Sequence, residues 1–182
     1  MVSLSFSHVG FYVFDLPRME SFYQRLLGFH VTDRGVARGR DIVFLTRDPN
    51  EHHQIALVAG RTTDETTVNQ ISFRLRGLED LQQMLAAVKA EPGATDVMGT
   101  DHGTTWSLYF RDPEGNRIEL FVTTPWYVRQ PRVDALDLER PIADIMAATE
   151  AACRQDPSFR LAQDWSVDVA GRLAQTDEKT PR

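Results

Sequence analysis

The 182 residues are 42% hydrophobic and 25% charged, a balance that excludes a disordered or collagen-like chain. A net charge of −6, with Lys and Arg scattered, argues against nucleic acid or an anionic membrane as partner, and no apolar run reaches the roughly 20 residues of a bilayer span. The single Cys153 excludes an intramolecular disulfide and, with no basic region ahead of the first apolar residues, the expected location is the cytoplasm.

The first element begins at His8. Val9, Phe11 and Val13 alternate with period two, as in a strand, and Leu16, Met19, Phe22, Tyr23 and Leu26 follow at helical spacing. Gly28 is placed to stop that helix. FHVTDR, DIVFLTR and HQIALVAG then read as three strands. Past the polar link Asp64-Glu65-Thr66-Thr67 the pattern restarts at an offset of 62, so that Ile71, Phe73, Leu75, Leu78, Leu81, Met84, Leu85 and Val88 repeat the earlier apolar positions. Pro92-Gly93 breaks the second helix, and TDVMG, TWSLYFRD and NRIELFVT complete a second set of strands, with a tight turn at Asp112-Pro113-Glu114-Gly115-Asn116.

The expected fold is therefore α+β: two βαβββ modules, residues 1–63 and 64–124, forming a cup-shaped open barrel. Residues 125–182 form a C-terminal extension, expected to lay an arm rich in Pro and Arg on the surface and then dock one short helix. That helix starts after Pro141 and carries the stripe Ile142, Ile145, Met146, Ala152 and Cys153, interrupted by Thr149. Its Cys153 is expected far from the cup, and the chain from Gln175 onward is expected to fray.

Two related modules place equivalent residues around a shared centre. His8 and Gln70 are mates at the starts of the first strands, and Ala56 is the mate of Glu119. A carboxylate between Ile118 and Leu120 is costly to bury without a partner, and a divalent metal supplies one. His8, Gln70 and Glu119 offer an imidazole nitrogen, an amide oxygen and a carboxylate, a three-ligand set that leaves positions open.

The paired modules and DPEGNRIELF resemble the vicinal oxygen chelate superfamily of glyoxalases, bleomycin- and fosfomycin-resistance proteins and type I extradiol dioxygenases, over residues 5 to 123. EHHQIAL and TPWYVRQP are similar to small one-domain dioxygenases of the dihydroxybiphenyl type. That likeness implies an acid/base histidine at His53, a substrate-binding tyrosine at Tyr109 and, at His102, a histidine that handles the oxygen-derived group. Strand parity counted from Ala56 favours His52 over His53 as the inward residue. Extradiol enzymes hold iron(II) with two histidines and a carboxylate, and the second histidine falls on Gln70. The ion expected first is Fe(II), with Mn(II), Zn(II) or Ni(II) admitted by the weaker amide donor.

The resemblance implies ring cleavage of a catechol-like aromatic by O2. Two rival readings are a divalent-metal isomerase, epimerase or lyase of the same superfamily, and a resistance protein that binds an aromatic compound without turnover. A homodimer is compatible with either, although both modules needed for one site lie in this chain.

Overall fold

A computed structural model describes residues 5–179, with side chains through Gln175. The apolar periodicity of the sequence becomes β1 (Val9–Val13), α1 (Leu16–Leu27), β2 (His30–Ala37), β3 (Arg40–Thr46) and β4 (Ile55–Ala59), then β5 (Ile71–Arg74), α2 (Leu78–Ala90), β6 (Thr95–Asp101), β7 (Thr105–Arg111) and β8 (Arg117–Thr123). Helix α1 starts where Asp15 Oδ1 accepts from Arg18 N–H. It stops at Gly28, whose φ of 67° turns the chain so that Gly28 N–H reaches Gln24 O and Phe29 N–H reaches Tyr23 O.

The first sheet has the order β1-β4-β3-β2 and the second contains β6-β7-β8-β5, and neither closes into a barrel. In each, the first strand of the module runs parallel to the last, with Gly10 opposite Ala56 in one and Ser72 opposite Glu119 in the other. The 62-residue offset is thus a repeat of register. One face of each sheet carries the helices, α1 on β3 and β4 and α2 on β7 and β8. Leu57, Leu108, Phe110 and Ile118 are fully buried there, each worth about 1.5–3 kcal/mol. Phe29 and Phe73, ring centroids 5.6 Å apart, carry this core across from one module to the other.

The signature turn is the clasp between modules. Asp112 Oδ1 accepts from Glu114 N–H and Asn116 N–H, both at 2.9 Å, and its Oδ2 accepts from Asn116 Nδ2 and from Tyr23 of α1. The turn so shaped points Glu114 at the start of α1, where Oε1 accepts from Phe14 and Asp15 N–H at 2.8 Å. Arg61, also buried, pairs with Glu114 and holds the linker through the carbonyls of Thr63 and Asp64.

The C-terminal extension differs from expectation in three ways. It is a structural strap: β10 (Asp134–Ala135) adds to the edge of β6, after β9 (Trp126–Tyr127). It carries two helices, α3 (Ile142–Arg154) and α4 (Ala162–Lys179), joined through β11 (Arg160–Leu161), which pairs with β9. Finally, the stretch expected to fray is helical as far as Lys179, residues 180–182 lying outside the described part. Trp165 anchors α4 by stacking on Tyr127 at 5.3 Å.

The strap passes close over Gly99. A Cβ there would lie 2.3 Å from Leu136 O, a backbone atom that cannot swing aside. Gly99→Ala is therefore expected to cost about 1–3 kcal/mol and lower Tm, read by thermal unfolding, by about 2–4 °C per kcal/mol.

Candidate metal centre and catalytic cluster

The six residues singled out in the sequence fall into two groups on the polar sides of the sheets. The larger centres on Glu119 in β8, which is only 8% exposed. Tyr109 OH at 2.6 Å and Ser107 Oγ at 2.8 Å donate to Oε1, while Gln70 Nε2 at 2.7 Å and Ser72 Oγ at 2.5 Å donate to Oε2. The register explains the convergence, because Ser72, Glu119 and Tyr109 sit directly opposite one another on β5, β8 and β7. All four donors are neutral. Among the described residues no Lys or Arg pairs with Glu119, although Arg117 lies over the Tyr109 ring at 5.5 Å.

Tyr109 extends the group to His102, whose Nε2 is 3.1 Å from the phenol oxygen. His102 Nδ1 lies 2.5 Å from Arg132 O. A carbonyl only accepts, so Nδ1 carries a proton and a neutral His102 presents Nε2 as a lone pair. Tyr109 then has one proton for two acceptors, Glu119 and His102. Burial, and after it the bond to Glu119, push the phenol up to about 12, so Tyr109 stays protonated at neutral pH.

The second group is on the first module. His8 packs against His53 with centroids 4.3 Å apart and the rings tilted by 47°, and Phe44 of β3 flanks His53 at 4.8 Å. His52 turns the other way, its Nε2 donating to Asp33 Oδ2 at 2.8 Å while its Nδ1 meets His53 Nδ1 at 3.0 Å. With both rings neutral, His53 donates through Nδ1 and keeps Nε2 as an acceptor. Burial, then the neighbouring His8 and His52, hold His53 below the ordinary histidine value. Parity from Ala56 gives the opposite inward residue because β4 begins only at Ile55; both histidines lie in the preceding loop, where alternation has no hold.

Gln70 and Glu119 are in direct contact, whereas no hydrogen bond, ion pair or ring contact among the described residues joins them to His8. Nor do three His, Cys, Asp or Glu side chains there come together as a metal-holding group. The set needs the amide of Gln70. Its fit to a cation rests on the carboxylate: a buried negative charge with neutral partners only, beside an amide whose oxygen accepts no hydrogen bond among the described residues. Ser72 and Ser107 were not singled out in the sequence; their parity with Gln70 and Tyr109 was the signal that could have found them. Cys153, expected far from the cup, has Sγ 3.7 Å from the carbonyl of Gly103, next to His102, because α3 packs beneath that loop.

Comparison with known proteins bears on the family and the fold. The family model for the glyoxalase/bleomycin resistance protein/dioxygenase superfamily matches residues 5–120. Biphenyl-2,3-diol 1,2-dioxygenase 3 of Rhodococcus globerulus is 34% identical over 112 residues, 58% of this chain and 56% of that protein. Biphenyl-2,3-diol 1,2-dioxygenase 2 of the same organism is 31% identical over 63% of this chain and 60% of its own length. The chain thus spans a little over half the length of these curated relatives. In fold it is similar to a glyoxylase/bleomycin resistance protein/dioxygenase domain from Frankia sp. EAN1pec, with a TM-score of 0.58 at 24% identity over 67% of this chain and 94% of that one. It is also similar to the fosfomycin resistance protein FosX of Listeria monocytogenes complexed with Mn(II) and sulfate, with a TM-score of 0.53 at 22% identity over 68% and 95% of the two chains. No helix among the described residues is long and apolar enough to cross a membrane. With its matched region covering well over half of the sequence and its register repeating module by module, the chain belongs to the glyoxalase/bleomycin resistance protein/dioxygenase superfamily.

Proposed function

We propose that this protein is a metal-dependent ring-cleaving dioxygenase of the extradiol type, acting on a catechol-like aromatic with O2. One observation carries the reading: a buried carboxylate with neutral donors only, Glu119, from which Tyr109 and His102 lead away in a hydrogen-bonded row. The likeness to dioxygenases named for biphenyl-2,3-diol supports an aromatic vicinal diol as substrate. His8, Gln70 and Glu119 would hold the divalent ion. Bound there, a divalent ion supplies a Lewis acid for the diol and a centre at which O2 is activated.

The protein's own groups divide the remaining work. His53, neutral and with Nε2 unprotonated, accepts a proton from a substrate hydroxyl. Tyr109, kept as a phenol, gives its one proton to Glu119 here and would turn it to the substrate oxygen, fixing its orientation, once Glu119 holds the ion. His102 stands at the end of the row to hold or return a proton through Nε2. Phe44 presents an apolar ring beside His53, which limits water at the proton-accepting nitrogen.

Gln70 supports a second reading, in which the same residues hold a harder ion for an isomerase or lyase, since an amide and a carboxylate are both oxygen donors. Anaerobic reconstitution with Fe(II), followed by 2,3-dihydroxybiphenyl and O2, separates the two. The dioxygenase reading expects a yellow ring-cleavage product from the wild type, and expects Gln70→His to retain Fe(II) about tenfold more tightly. An inert wild type beside an active Gln70→His assigns the native chain other work. A protein that takes up no divalent metal favours the reading of a protein that binds an aromatic compound without turnover.

A further inference from the structure

We propose that the C-terminal strap and α3 are the positioning device for His102, with Thr149 and Gln130 as the positioning residues. The inference rests on the reading of His102 as a proton-handling group. His102 lies in the short loop between β6 and β7, which has no regular structure of its own to fix an imidazole. Among the described residues, the hydrogen bonds that reach this loop from outside the sheet come from residues 124–153.

The buried side of the restraint runs through Thr149, which interrupts the apolar stripe of α3 and is only 2% exposed. Its hydroxyl accepts from Trp106 Nε1 at 2.8 Å and donates to Asp101 Oδ2 at 2.5 Å. Asp101 passes the restraint on, Oδ1 accepting from Gly103 N–H at 2.7 Å. Gly103 has a φ of 73°, and a Cβ there would lie 2.6 Å from Val128 and 3.1 Å from Cys153, so the loop is seated on the strap with no room to spare. Thr124 Oγ1 donates to Gly103 O at 2.6 Å from the same side. A hydroxyl inside an apolar stripe gains nothing from packing alone. Here it joins a strand tryptophan to a loop carboxylate.

The outer side runs through Gln130, an exposed residue whose amide bridges loop and strap. Nε2 donates to His102 O at 2.8 Å, and Oε1 accepts from Arg132 N–H at 3.2 Å. That bridge sets Arg132 O against His102 Nδ1, and this single contact selects the tautomer. With Nδ1–H held by the strap, Nε2 is left as the lone pair facing Tyr109. Loss of either restraint lets the loop drift, and the ring relaxes toward a mixture of tautomers in which Nε2 carries the proton part of the time.

The tautomer is measured directly by long-range 15N–1H correlation spectra of protein labelled in its histidine rings, with His102 assigned from His102→Gln. In the wild type the neutral ring is expected to be protonated at Nδ1. Thr149→Val, which keeps the shape and removes both hydrogen bonds, and Gln130→Ala, at an exposed site that does not threaten folding, are each expected to give a mixed tautomer. Both should lower kcat for a catechol about tenfold with KM little changed, and Thr149→Ser, which restores the hydroxyl, should recover both readouts. A wild-type ring protonated at Nε2 overturns the inference, as does an unchanged tautomer in Gln130→Ala, or a Thr149→Val that loses only thermal stability. An enzyme without dioxygenase turnover that still shows the expected tautomers supports the positioning device and refutes the dioxygenase reading.

Discussion

Glu119→Ala is expected to abolish retention of divalent metal after reconstitution and dialysis, and to lower kcat/KM for a catechol by about 10^2 to 10^3-fold or more. Glu119 brings the one negative charge among the three proposed ligands; His8 and Gln70 are neutral donors and do not hold a divalent ion tightly without it. The alanine variant also leaves the buried Ser107 without its acceptor and Tyr109 with His102 alone, which costs stability as well as activity. Glu119→Gln separates the two effects. It keeps the side-chain volume and one acceptor oxygen, but its NH2 group meets donors where the other oxygen accepted, so Tm should fall less than in the alanine variant while metal retention and turnover fall almost as far. Metal analysis on the dialysed proteins checks the first effect, and initial rates of ring cleavage check the second. If either variant keeps its metal, Glu119 is not a ligand.

The sequence carried this centre unevenly, for physical reasons. The modules were legible because apolar alternation and helical spacing are properties of consecutive residues, and the 62-residue offset repeats them twice. Gln70 stood out for the same reason, as the mate of His8. The choice between His52 and His53 was lost where periodicity stops, in the loop ahead of Ile55, and there Asp33, outside that loop, holds the His52 ring while His53 turns to His8. Thr149 was visible as an interruption, yet its partners lie 43 and 48 positions back in the chain, and no local pattern records such a pairing. Helix α4 escaped notice because Asp164, Asp168 and Gly171 thin its apolar stripe to Trp165, Val169 and Leu173. The strap looked like a surface arm because Pro and Arg dominate it. Part of its work is done by main-chain atoms, such as Arg132 O and Leu136 N, which composition does not reveal.

The signature turn gives the largest expected effect on stability. Glu114→Ala should cost about 3–5 kcal/mol, which for a chain of this length lowers Tm by roughly 10 °C. Glu114 is 4% exposed in its side chain and faces an Arg61 side chain that is 7% exposed, so truncation strands a buried guanidinium. It also removes the acceptor of two N–H groups, Phe14 and Asp15, at the threshold of α1. The pair sits at the junction of the modules, and the consequence extends to the site: His8 and His53 come from one module, Gln70 and Glu119 from the other, and the turn helps fix one against the other. Turnover by Glu114→Ala should therefore fall even well below its Tm, whereas Gly99→Ala, which loosens only the strap edge, should spare metal retention. Glu114→Gln keeps an oxygen for the two N–H groups and loses the charge opposite Arg61, and about half the cost is expected to remain. Denaturant unfolding of the three variants, with metal content measured on the same samples, tests the order. A Glu114→Ala as stable as the wild type would leave the turn as an ornament of the family and not its clasp.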